Sequence, residues 1–153
     1  MIEYKILDSS DIEDITNLDQ IRLASFSIKE GNNFFIDNIK SGNMQAIEMI
    51  VNNNVVGGAY LFISPNTHSI TIERIFILDK YQHNGFASLL LEHILSLKEL
   101  FEDKYNMIIN CSIAEPSNDE LIKFYKQNGY KGPNAIGTMK RYLDYEITNI
   151  IKK

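Results

Sequence analysis

Cysteine is almost missing from this chain: Cys111 is the single one in 153 residues. An internal disulfide is therefore excluded, as are CxxC redox motifs and cysteine-rich zinc clusters. Cys111 falls in the apolar run 107–113 and reads as a small core residue. The three histidines, His68, His83 and His93, show no metal-ligand spacing, and no metal is expected. Positive charge is also scarce, with 15 Lys and Arg against 20 Asp and Glu, a net charge of −5. Nucleic-acid binding draws on clustered cations, so no nucleic-acid partner is expected. The charge reads first as a solubility charge, although an acidic surface also favours cationic amines. No stretch approaches the roughly 18 uncharged apolar residues of a membrane helix. The start, Met1-Ile2-Glu3-Tyr4, lacks the basic region and apolar stretch of a secretory leader. No membrane partner and a cytoplasmic location are expected. Internal repeats and Pro- or Ser-rich linkers are absent too. One domain over 1–153 is expected, and a hydrophobic share of 44% is enough to give it a core.

What is present is a run of alternating and helical patterns. Ile2, Tyr4 and Ile6 alternate as in a strand. The S-x-x-E spacing at 10–13 is a capping box, and Ile12, Ile15, Leu18 and Arg22 then recur at helical spacing to about Phe26. A short helix is expected at 34–40, before Gly42. The runs 46–51 and 55–63, separated by Asn52-Asn53-Asn54, form a hairpin signal, with Gly57-Gly58 marking a bulge. A β-branched strand covers 71–77. One long helix is expected from about Gly85 to Phe101, and a strand at 107–113. A second capping box at 117–120 opens a helix to about Asn128, ended by Gly129. One or two closing strands lie between Tyr130 and Leu143. The order β-α-α-β-β-β-α-β-α-β implies an α/β fold with a mixed sheet and helices on both faces.

The stretch 75–88 runs from a strand through a short loop into the long helix. A helix N-terminus has unpaired N–H groups and partial positive charge, and it binds phosphate when the backbone can come close. Gly85 and Ala87 are small where that approach is needed, Ser88 can add a hydroxyl donor, and Asn84 can adopt an unusual φ. Neither G-x-x-x-x-G-K-[ST] nor G-x-G-x-x-G is present. Spacing alone thus leaves an ordinary strand-to-helix turn as the competing reading.

Gln82-x-x-Gly85-x-Ala87, five residues past Ile77, resembles the acetyl-CoA signature Q/R-x-x-G-x-G/A of the GNAT acetyltransferases. Asn118, followed by Phe124-Tyr125-x-x-x-Gly129-Tyr130, resembles that family's N-x-x-x-x-x-[LF]-Y-x-x-x-G-[FY]. The two blocks stand in the family's order, and the element order matches over the whole chain. The resemblance implies the GNAT fold, a central mixed, mostly antiparallel sheet flanked by helices, and an N-acetyltransferase using acetyl-CoA as co-substrate. It also implies roles. Backbone amides of His83, Asn84, Gly85, Phe86, Ala87 and Ser88, after Gln82, would hold the CoA pyrophosphate. Ile75, Ile77 and Leu78 would pair through their backbone with the pantetheine arm. Asn118 would hydrogen-bond the cofactor, Phe124 would pack on it, and Tyr125 would act as general acid at the thioester sulfur. His83 and Asn84 replace the commoner glycine and basic residue of the signature, removing one positive charge from the phosphate grip.

Amide formation needs a neutral amine, and amines of pKa near 10 are mostly protonated at pH 7. Glu73 is the candidate base. It precedes Ile77 by four residues and shares a strand face with Thr71, Ile75 and Ile77. An apolar setting there would suit a carboxylate to accept a proton. A partner Lys or Arg, or solvation, is the structural alternative for Glu73, and water alone serves as base in several relatives. A small-molecule amine is the expected acceptor. A protein or peptide amine, or a non-catalytic CoA-binding module, are the competing readings, and a homodimer stays open.

Overall fold

The computed structural model describes residues 1–29 and 31–143. The chain forms β1 (Ile2–Leu7), α1 (Ile12–Ser25), α2 (Phe34–Lys40), β2 (Gln45–Val51), β3 (Asn54–Ser64), β4 (Ser69–Ile77), α3 (Phe86–Ser96), α4 (Lys98–Tyr105), β5 (Cys111–Ala114), α5 (Asp119–Gln127) and β6 (Met139–Tyr142). The strands make one six-stranded mixed sheet in the order β1-β2-β3-β4-β5-β6. The β1–β2, β2–β3 and β5–β6 pairs are antiparallel and β4–β5 is parallel, as a helical crossover requires. Two compact units divide the chain: Met1–Phe62 with Arg74–Glu92, and Ile63–Glu73 with the chain from His93 onward.

In the first unit, the β2–β3 turn places Asn52 and Asn53 at φ 49° and 68°, the left-handed pair of a two-residue hairpin. The expected bulge is there: Met49 pairs with Gly57 but Ile50 with Val55, so Val56 is the extra residue. Gly57 has a steric reason to be glycine, because a Cβ would overlap the Phe76 carbonyl and press on the Ile77 backbone. The face of the sheet carrying Ala46, Tyr60 and Phe76 packs against Leu7, Ile15, Leu18, Phe35, Ile39 and Met44. Glu48 is buried in this unit on β2, opposite Gly58. Burial, and then the negative charge of Asp14, push its carboxyl pKa up.

Four local expectations are corrected. Ser10 does not cap α1: the Asp8 carboxylate takes the Ser10 N–H at 3.1 Å, and the N-cap is Asp11, without a side-chain bond. Asn118, not Ser117, caps α5, accepting the Leu121 N–H at 2.9 Å. The expected long helix is two, broken at Leu97. There the Ser96 hydroxyl bonds the His93 carbonyl and the Leu97 N–H tightens onto Ile94. The strand expected over 107–113 is only Cys111–Ala114, because the preceding amides are claimed elsewhere. Met107 donates to the Glu102 carbonyl, and Ile109 donates to the Glu102 carboxylate at 2.9 Å. Burial raises the Glu102 pKa, but that N–H and Lys98 outweigh it and leave the pKa lowered.

Candidate active site

β4 is nine residues long, yet its register with β5 covers only Ser69–Cys111 to Ile72–Ala114. Residues 73–77 run on without a β5 partner, so their N–H and C=O groups on that edge are left to other acceptors and donors. The Leu78 N–H is bonded to the Val56 carbonyl at 2.8 Å, toward β3. The Leu78 carbonyl in turn accepts the Tyr81 N–H at 2.8 Å, so both of its backbone groups are engaged. Because N–H and C=O of one strand residue point to the same neighbour, alternation gives the open edge to Ile75 and Ile77. Gln82 donates from its side chain to the Ile77 carbonyl at 2.9 Å and to Asp79 at 3.1 Å, folding the loop back on the strand end. This gives the signature glutamine a local structural role.

A 3-10 turn, Asp79–Tyr81, leads into the loop. The unusual φ expected at Asn84 is instead at His83, at 66°, while Asn84 holds the loop by donating to the Tyr81 and Gln82 carbonyls, both at 3.1 Å. Gly85 follows at φ 77°, with open space where a Cβ would stand. His83, Asn84 and Gly85 are exposed, and Phe86, Ala87 and Ser88 are half-buried in the first turn of α3. Their N–H groups are the orphan donors of that helix end. The loop is thus an accessible, uncrowded cradle of amides.

The second unit holds the other predicted residues. Asn118 is exposed and in extended conformation, with its carbonyl engaged in the α5 cap. Phe124 is half-buried, and Tyr125 is 3% exposed. The Tyr125 ring meets Phe124 at 5.2 Å and Tyr130 at 5.0 Å, both edge-on. Tyr130, the last residue of the second motif, donates to the Ser112 hydroxyl at 2.6 Å and anchors the end of α5 to β5. Glu73 is half-buried on β4, one residue past the last β5 pair. Cys111 is 2% exposed, with its sulfur near the carbonyls of Thr67 and His68 at 3.7 and 3.9 Å. Among the described residues no group of three or more His, Cys, Asp or Glu side chains comes together as a metal site would need. No helix among them is long and apolar enough to cross a membrane.

One cluster in the first unit escaped the reading of the sequence. Asp19, 2% exposed, accepts from Arg22 Nε at 2.7 Å and from the Tyr60 hydroxyl at 2.7 Å. Burial and then Asp19 push the Tyr60 pKa far above the ordinary tyrosine range, so the phenol stays protonated. Phe35 stacks on Tyr60 at 4.8 Å and lies 4.6 Å from the Arg22 guanidinium and 5.1 Å from that of Arg74. The sequence held one signal of it: Arg22 falls on the apolar stripe of α1, three residues after Asp19.

Comparison with known proteins agrees with this geometry. A sequence profile of the acetyltransferase (GNAT) family matches residues 12–130. No curated protein matches the chain. Among solved structures, the chain is similar to the PaiA N-acetyltransferase of Thermoplasma acidophilum, solved in complex with coenzyme A. Identity is 16% over 93% of this chain and 99% of that one, with a TM-score of 0.61. It is similar to the ribosomal-protein-S18-alanine N-acetyltransferase of Escherichia coli at 16% identity, 94% of each chain and TM-score 0.66. It also resembles the aminoglycoside acetyltransferase meta-AAC0020 from an uncultured soil metagenomic sample, at 13% identity over 88% and 91% of the chains and TM-score 0.68. These likenesses show a common fold, and with the profile covering most of the sequence, the chain belongs to the acetyltransferase (GNAT) family.

Proposed function

We propose that this chain is an acetyl-CoA-dependent N-acetyltransferase that acetylates the primary amine of a small molecule, by direct transfer in a ternary complex. The observation that carries the reading is the open edge of β4 at residues 73–77, leading straight into the uncrowded amide cradle at 82–88. An extended arm can pair with such an edge as an added strand, and a pyrophosphate suits the first turn of α3. The PaiA relative solved with coenzyme A supports acyl-CoA as the donor. The solved relatives include protein and aminoglycoside acetyltransferases and so do not choose an acceptor. A small cationic amine is favoured by the net charge of −5.

In this mechanism the amine nitrogen bonds the acetyl carbon and the carbon–sulfur bond breaks. Glu73 receives the amine proton, directly or through water, and Tyr125 gives its phenolic proton to the departing sulfur. Direct transfer fits a chain whose single cysteine is buried and turned toward backbone carbonyls, a poor nucleophile for an acyl-enzyme. Asn118 offers its NH₂ group to the cofactor while its carbonyl caps α5. Phe124 packs against the cofactor.

The test is thermal unfolding with and without acetyl-CoA. A ligand that binds only the folded state, at about 100 times its Kd, adds about 2.7 kcal/mol, a rise of several degrees in Tm. Gly85→Asp places bulk and negative charge in the cradle and should abolish the rise. An unchanged Tm for the natural protein in millimolar acetyl-CoA would sink the reading.

A further inference from the structure

Ser112 and Tyr130 are buried side chains that the proposed mechanism does not use, at 0% and 3% exposure. They are bonded to each other, the Tyr130 hydroxyl donating to the Ser112 hydroxyl at 2.6 Å. Ser112 lies in β5, opposite Ile70 of β4 and Arg141 of β6, two residues before the last β4 pair at Ala114. Its hydroxyl is therefore fixed to the sheet from both sides, close to where the β4–β5 register ends. Tyr130 is tied at its other end to Tyr125. Its N–H donates to the Tyr125 carbonyl at 3.0 Å, while Gly129 donates to the Lys126 carbonyl at 3.2 Å. This is the Schellman close of a helix, with Gly129 at φ 88° as the left-handed residue.

A Schellman close commonly packs the residue after the glycine against the one that Tyr125 represents here, and the two rings do meet edge-on at 5.0 Å. An apolar ring would make that contact equally well. The bond to Ser112 adds direction. Tyr130 is held at its backbone by the turn and at its phenolic oxygen by β5, so its ring has two fixed points and cannot tilt. Tyr125, 3% exposed, is edge-on to this ring and to that of Phe124, at 5.2 Å, and takes its plane from them. Orientation matters for an acid. A reacting group has to be held within about 0.5 Å and 10–20° of the productive geometry, and a misplacement of about 1 Å can cost about 10²-fold in rate.

We infer that Ser112 and Tyr130 are positioning residues: through their hydroxyl bond they hold the Tyr125 phenol at the angle from which it delivers its proton to the departing sulfur. This rests on the reading of Tyr125 as the acid, and a double-mutant cycle in kcat separates the two. Tyr130→Phe removes the bond and keeps the ring, and Ser112→Ala removes the bond from the other side. Each should lower kcat by about tenfold, with the KM for acetyl-CoA and the acetyl-CoA thermal shift unchanged. In a chain that already carries Tyr125→Phe, neither should lower kcat further, because no phenol is left to aim. A bond that serves stability alone would lower the denaturation midpoint and spare the kcat of the folded protein. An unchanged kcat in Tyr130→Phe, measured well below its Tm, therefore overturns the inference. So do losses that multiply in the Tyr125→Phe background. Both results leave the acid reading standing. If Tyr125→Phe by itself keeps full kcat, the acid reading falls and takes the inference with it.

Discussion

Tyr60 on β3 and Tyr125 on α5 are buried to almost the same degree, at 0% and 3% exposure, but their surroundings differ in kind. Tyr60 sits in a polar network in which Asp19 accepts its hydroxyl and Arg22 balances the charge. Its proton is committed, and its pKa is driven up by burial and by that carboxylate. Tyr125 sits in an aromatic cluster, edge-on to Phe124 and Tyr130. A phenol locked onto a buried carboxylate is a structural tie. A phenol that must deliver a proton cannot be held that way. Burial alone therefore does not tell the two tyrosines apart; the residues around each ring do.

Tyr125→Phe breaks the contrast with the largest expected effect. The ring and its packing remain, so Tm should hardly move, while kcat and kcat/KM for acetyl-CoA fall together by about 10²-fold. A raised KM with kcat intact would instead make the hydroxyl a ground-state anchor. Tyr60→Phe is the reciprocal experiment. Losing a hydrogen bond to a charged group should cost about 1.5–3 kcal/mol of stability, visible as a lower denaturation midpoint. The kcat of the folded protein should survive. A large loss of kcat with unchanged stability would reverse the assignment of the two tyrosines. The smallest expected effect concerns the carboxylates of the same two regions. Asp19 is 2% exposed and engaged by two donors, and Glu73 is half-buried on β4. Glu73→Gln should lower kcat/KM about tenfold at pH 7, below the usual range for an acid or base because water can substitute. The deficit should close as pH rises and the free amine becomes abundant. A rate ratio independent of pH would leave Glu73 a structural residue.

The contrast also marks where sequence reading succeeds. The hairpin at Asn52-Asn53, the short helix α2 and the loop at 82–88 were legible because their determinants are local: left-handed asparagines, a helical stripe, a glutamine reaching back five residues. The breaks were harder. A serine hydroxyl at Ser96 and a carboxylate at Glu102 redirect backbone groups that a periodic pattern assigns to a helix or a strand. Asp8 likewise holds the hydroxyl of Ser10, at 3.2 Å, away from the start of α1. The Asp19–Tyr60 bond joins residues 41 apart, and no motif spans that gap. Arg74 follows Glu73 on β4, and no local pattern shows that Phe35 is brought against it. The residues proposed to grip the cofactor form a short local motif, while the Asp19–Tyr60–Phe35 cluster is assembled from distant segments.

Finally, the six strands lie across the sheet in the order in which they occur along the chain. No strand has to be threaded between two that have already paired. During synthesis, each strand leaving the ribosome meets an edge that its predecessor has just made. The sheet can grow from one side as translation proceeds, waiting for distant contacts at two steps, where two helices intervene between β1 and β2 and again between β4 and β5. The late step of assembly is thus the same parallel pairing whose early end leaves the β4 edge open.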